Sequence, residues 1–326
     1  MPVTFSLRQI GLEDAFTQMK LQPLAALFCT VSFVTLSACH VEMEEPPLDE
    51  ESADASETEE HIAEVVDGMV SVFEGVDVAV PDDGYTLTIE VLFDDGLGEL
   101  VQIERRGGEA LVRYLDAHAD EAGSTSSSAG SCPSKCSDKR HSLTGYRWNK
   151  KLAWRYRDAN RPGSVSKSGA INAFKHAARG IVNSRNSCSM ADKISATHEY
   201  LGTTSKAPGI NGSGACTSMD NRNVIGWGKL PNGVLGVTCT WSTSSGVAVE
   251  SDQRYSNQHK WFAGNTSPSN CSNKFSLRSV ATHEFGHAYG LGHSACKLTM
   301  APSTSVCKAG GRKLGKGDVL GLRKLY

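Results

Sequence analysis

Three absences set the first limits. No internal repeat runs through the 326 residues, so solenoid and propeller architectures are set aside. No recognisable nucleic-acid motif accompanies the scattered Lys and Arg of the C-terminal half, so nucleic acid is not an expected partner. The one long apolar run, Leu21 to Ala38, is broken by Pro23, which suits the core of an export signal better than a membrane span. A fourth scarcity is more telling. From His40 to Ser131 there are 25 acidic residues against 3 basic ones, a balance of −22. From Cys132 to Tyr326 the count is 28 basic against 9 acidic, a balance of +19. The overall charge of −3 hides two different objects that should attract each other.

Lys20 precedes the apolar run, and the run ends in Leu36-Ser37-Ala38-Cys39. This resembles a bacterial lipobox, which implies lipidation of Cys39 and tethering to a membrane surface without a spanning helix. His40 after the anchor, by resemblance to Gram-negative lipoproteins, implies the outer membrane or cell surface. The stretch before Met19 carries Glu13 and Asp14 and is not apolar, so Met19 is an alternative start. Besides Cys29 in the signal and Cys39, eight cysteines remain, and an even number in an exported chain reads as four disulfides. Cys296 and Cys307, close in sequence, form the preferred pair.

Composition divides the rest. Residues 1–38 read as signal peptide, 39–60 as an acidic flexible stalk, 61–118 as a small acidic α/β domain serving as propeptide or spacer, 119–131 as a Gly/Ser linker, and 132–326 as the main domain. Ile62, Val65, Val66, Met69, Val70 and Phe73 fall at helical spacing. Tyr85 to Phe93 alternates as a strand, and Gly107-Gly108 marks a hairpin between 101–103 and 111–114. In the main domain, Leu152 to Arg157 alternates as a strand, and Ala170 to Ile181 carries a helical apolar stripe. The 224–227, 234–241 and 246–251 stretches are further strand candidates.

The chemistry concentrates in His283-Glu284-Phe285-Gly286-His287-Ala288-Tyr289-Gly290-Leu291-Gly292-His293. Ser276 is a plausible helix N-cap, flanked by a Phe275–Val280 staple. Residues four apart share a helix face, so His283 and His287 point the same way and supply half of a tetrahedral zinc site. Gly290 lets the helix stop, and the chain turns back to deliver His293 as third ligand, leaving the fourth position to water. Glu284 is placed to be the general base. Chance occurrence of the whole pattern is about one in twenty thousand chains of this composition, so a helix of ordinary core histidines is rejected.

HEFGHAYGLGH matches the metzincin zinc motif, and Thr299-Met300-Ala301-Pro302 is similar to the methionine turn of that clan, with Pro302 favouring its matrixin branch. The ending from Gly317 to Tyr326 resembles a matrixin closing helix. The chain thus resembles a bacterial matrixin-like metalloprotease over about residues 140–326. The resemblance implies an α+β, metzincin-like zincin domain with a twisted mixed sheet, an active-site helix and a small C-terminal subdomain. It also implies one catalytic zinc held by His283, His287 and His293, with Met300 beneath it and protein or peptide substrates. Calcium is compatible with it but nothing in the sequence shows it. Three departures stand out. The matrixin prodomain switch PRCGVPD is missing, the histidine-rich structural zinc segment is absent, and Gly317-Asp318 replaces a pair of aspartates, leaving Asp318 to bond the methionine turn. The activity expected is a zinc-dependent endopeptidase, with 40–131 as either an inhibitory cover or a spacer, and the rival is a silent surface lipoprotein using the fold as a binding module. His198 reads as a surface or loop residue. Cleavage specificity and oligomeric state are not legible.

Overall fold

The computed structural model describes residues 59–73, 76–95, 98–115, 132–294, 296–302 and 304–326. All of these described residues belong to one compact unit. The apolar N-terminal run, Cys29, Cys39, the acidic stalk before Glu59 and the 119–131 linker lie outside the described residues. Among the described residues no helix is long and apolar enough to cross a membrane.

The acidic segment is built of strands: β1 (Glu59–Glu64), β2 (Met69–Phe73), β3 (Val76–Ala79), β4 (Tyr85–Phe93), β5 (Gly98–Arg106) and β6 (Glu109–Tyr114). The helix expected over 62–73 is therefore corrected, and with it the α part of the expected α/β domain. Two local causes outweigh the helical spacing. The run is dominated by Ile and Val, whose branched Cβ favours strands. Asp67-Gly68 is also a two-residue hairpin turn. Both residues have positive φ, +51° and +78°, and Val66 and Met69 exchange backbone hydrogen bonds of 3.0 and 2.9 Å. The Gly107-Gly108 hairpin lies between β5 and β6 as its composition predicts.

The remainder alternates strands and helices: β7 (Leu152–Arg157), α1 (Lys167–Val182), β8 (His198–Thr203), β9 (Asn223–Gly228), β10 (Val234–Thr243) and β11 (Ala248–Ser256). Two short strands follow, β12 (Trp261–Phe262) and β13 (Phe275–Ser276), then α2 (Leu277–Ala288) and the closing helix α3 (Lys316–Leu325). Nine strands make one mixed sheet, in the order β1-β6-β5-β4-β10-β11-β9-β7-β8. Strands β8, β7, β9 and β11 run parallel to one another, and β10 is antiparallel to β11. Strand β4 then adds antiparallel to the other side of β10, pairing Glu90 with Thr238 and Val91 with Val237. The acidic segment and the basic main domain thus share a single hydrogen-bonded sheet.

Alternation along the strands supplies a core on each face. On one, Trp154, Tyr156, Trp227 and Tyr255 pack with Phe174 of α1 and Phe285 of α2, all almost fully buried. On the other, Leu87, Ile89 and Val91 of β4 meet Val237, Cys239 and Trp241 of β10, closed by Val70, Val72, Val76 and Val78 of the β2–β3 hairpin.

All eight cysteines after Cys39 are paired, as Cys132–Cys296, Cys136–Cys188, Cys216–Cys239 and Cys271–Cys307. The expected Cys296–Cys307 pair is not formed. The loop that carries both is pinned at its two ends to different neighbours. Cys307 N–H donates to the Lys274 carbonyl at 2.8 Å, beside Cys271, while Cys296 lies against Arg140, close to Cys132. Nearness in sequence does not decide a pairing that packing dictates.

Candidate metal centre

Helix α2 begins where its sequence predicts. The Ser276 hydroxyl accepts from Ser279 N–H at 3.3 Å, and Phe275 and Val280 flank the first turn. The helix is buried on nearly every side, as expected of one crossing the middle of a core. At its end the last carbonyls need donors. Tyr146 Oη donates to His287 O at 2.6 Å and Trp148 Nε1 to Ala288 O at 2.7 Å. Burial pushes the Tyr146 hydroxyl up to about 12, so it stays a donor. Gly290 has φ +92°, and a Cβ there would collide with the Tyr146 carbonyl oxygen, so this turn requires glycine on both counts. The sharp turn leaves Leu291 bridged to Leu143, with His293 just beyond.

His283, His287 and His293 converge, with ring centroids 4.6, 4.7 and 5.3 Å apart. His283 Nδ1 lies 2.9 Å from the Thr299 carbonyl oxygen, and His287 Nδ1 lies 2.9 Å from that of Leu291. A carbonyl can only accept, so each Nδ1 carries the proton and each Nε2 turns a lone pair inward. Those two Nε2 atoms are 3.0 Å apart. His287 is held well below the usual imidazole range, chiefly by burial, and is therefore neutral.

The sheet brings a fourth donor that the sequence reading leaves to water. Glu90, in the middle of β4 and 1% exposed, places Oε1 3.6 Å from His283 Nε2 and 3.8 Å from His293 Nε2. One potential ligand atom from each of Glu90, His283, His287 and His293 lies within 4.8 Å of the others, which makes this the one such cluster among the described residues. Neither Glu90 oxygen has a hydrogen-bond donor.

Such an arrangement fits a divalent cation. A buried carboxylate without donors costs several kcal/mol, and lone pairs facing each other at 3.0 Å repel. Three imidazole nitrogens and a carboxylate oxygen are a zinc donor set, and a metal at their centre removes both costs.

Glu284 sits beside this cluster, fully buried, and accepts from Thr238 Oγ1 at 2.6 Å. Burial, and then the charge of Glu90, push its carboxyl well above the usual range. Gly236 makes the room, since a Cβ there would stand 3.0 Å from Glu284 Oε1. Met300 lies under the helix against Gly286, and its turn is held by Asp318, whose carboxylate accepts from Thr299 N–H at 2.9 Å and Met300 N–H at 3.2 Å. Beside His283 opens a cavity of about 370 Å³, lined by Leu92, Val280, Leu298, Thr299 and Lys308 among others. His198, read as a surface or loop residue, is the first residue of the edge strand β8 and not of a loop, half-buried and accepting from Trp154 Nε1 at 3.4 Å.

Sequence reasoning missed Glu90 and Thr238. A single carboxylate in an otherwise apolar and threonine strand was the available signal for Glu90. Nothing local distinguishes Thr238 from its neighbours.

Residues 231–326 match the family model described as Matrixin, a peptidase family. Human Matrix metalloproteinase-20 is 36% identical over 90 residues, which is 27% of this chain and 17% of that protein. The chain therefore spans about a sixth of that curated relative's length. Over residues 231–326, which carry Glu284, Met300 and the three converging histidines, the chain is similar to the matrixin metallopeptidase family.

Proposed function

We propose that the protein is a zinc-dependent endopeptidase, with His283, His287 and His293 holding the metal and Glu284 acting as general base. The observation that carries this reading is the convergence of three imidazoles, two of them fixed by backbone carbonyls so that Nε2 faces inward, beside a buried carboxylate. When bound there, zinc supplies Lewis-acid activation of a water and of the scissile carbonyl. Glu284, whose carboxyl the charge of a bound metal would return to the ionised form, would take the water's proton and return it to the leaving amine. Thr238 holds Oε2 of Glu284, leaving Oε1 outside that bond for the exchange. The cavity beside His283 is sized for a substrate side chain. The eight paired cysteines support an exported protein, since disulfides persist in oxidising compartments, and tethering at Cys39 remains part of the proposal.

Glu284→Gln keeps the shape of the side chain and leaves all three histidines untouched. The variant is expected to hold one zinc per chain, as wild type does, and to lose about 10²- to 10⁴-fold in peptide hydrolysis. His293→Ala should lose the metal itself. A wild-type chain freed of residues 40–131 that holds zinc and cuts no peptide returns the reading to a binding module. A Glu284→Gln chain that cuts at the wild-type rate moves the base elsewhere.

A further inference from the structure

Taking the endopeptidase reading as its base, we propose that Glu90 is a built-in fourth metal ligand and that β4 occupies the place on β10 that an extended substrate would take, so that residues 59–115 hold the enzyme closed.

Two independent features converge on this. The first is the donor set. With three histidines alone the site is open, as hydrolytic zinc sites are; with a fourth protein donor it has the closed form of structural sites. Glu90 supplies that donor from the strand, at the same level as the metal cluster, because its partner in the register is Thr238, which bonds the catalytic base. The second is the sheet. Without β4, strand β10 is the edge nearest the metal, a row of unpaired N–H and C=O groups of the kind that recruits an extended peptide. In the intact chain β4 takes those groups over nine register pairs, from Val234–Phe93 to Thr243–Tyr85. Leu92, two residues from Glu90 and on the same face, lines the cavity beside His283.

The return turn is fitted just as closely. A Cβ on Gly98 would stand 2.9 Å from Pro302 Cβ and 3.0 Å from His293 Cε1, so the backbone entering β5 passes directly over the third histidine. Asp94 Oδ2 pairs with His259 Nε2 at 3.1 Å. The segment contains no cysteine, and every disulfide among the described residues lies within 132–326. Once the chain is cut between residues 115 and 132, only non-covalent contacts retain the cover.

The test uses the full disulfide-bonded chain with cobalt(II) in place of zinc and acetohydroxamate as a small probe of an open coordination position. Wild type should show no change in visible absorption on adding the probe. Glu90→Gln, which keeps size but gives a poor metal ligand, and Glu90→Ala should both respond. Glu90→Gln should also bind zinc at least 10- to 100-fold more weakly in competition with a chelator, taking as a floor the loss of affinity seen when a mere supporting partner of a metal ligand is removed. A probe response in the intact wild-type chain overturns the proposal, whatever the variants do. Closed spectra in folded variants that hold cobalt also overturn it, while leaving the endopeptidase reading standing. A wild-type chain that binds neither cobalt nor zinc overturns both.

Discussion

Gly286 shows how a single position can serve the site against the preference of its own element. In the middle of a helix, glycine costs about 1 kcal/mol relative to alanine. A methyl group added here, however, would fall inside the contact distance of Met300 Sδ, and Met300 is 1% exposed with no room to retreat. Gly286→Ala is therefore expected to lower stability by about 1–3 kcal/mol despite the better helix former. The check is a denaturation midpoint that falls with unchanged slope. A midpoint that rises would mean the methionine turn yields freely. At this scale the sequence was most readable where the geometry is local: the three histidines and Glu284 lie on one helix and its exit turn. Glu90 was not readable, because its position depends on which strand pairs with β10 and in what register, and neither is written near residue 90.

Among the elements, β7, β9, β10, β11 and the two long helices of the main domain were legible from alternation and from the N-cap at Ser276, since both patterns are set within a few residues, whereas β8, β12 and β13 were not. The first strands of the acidic segment were not, because apolar positions over 62–73 satisfy two periods and only the Asp67-Gly68 turn decides between them. Disulfide pairing lay beyond reach for a similar reason. Cys216–Cys239 fastens the loop after β8 to the strand that carries Thr238, closing a loop with a sequence separation of 23. Replacing both cysteines with serine is expected to cost about 2–4 kcal/mol. Denaturation of the double variant measures it, and a loss below about 0.5 kcal/mol would mean the loop is held by other contacts such as the Gly209 N–H to Asp252 bond at 2.6 Å.

For the whole molecule, the charge imbalance of −22 against +19 foretold association of the two parts but not its form. The junction is first a strand ladder and an apolar layer, with Asp94–His259 at its margin. At 1 M salt the screening length is only about 3 Å, which removes most long-range attraction. A chain nicked between residues 115 and 132 should nevertheless still migrate as one species at that salt on size exclusion. Separation by salt alone would show that charge, and not the shared sheet, holds the parts together. The shared sheet also bears on what release would do to solubility. Removing β4 opens the cluster that Ile210, Leu230, Val234, Val237, Cys239 and Trp241 share with the departing segment's valines, Leu87, Ile89 and Ile103. The liberated domain would bear an apolar patch beside an unpaired strand, a combination that invites self-association. It should bind a hydrophobic dye and grow in apparent mass with concentration, as the intact chain does not. The acidic segment would then be a solubilising partner whose loss limits how long the freed domain persists as a monomer.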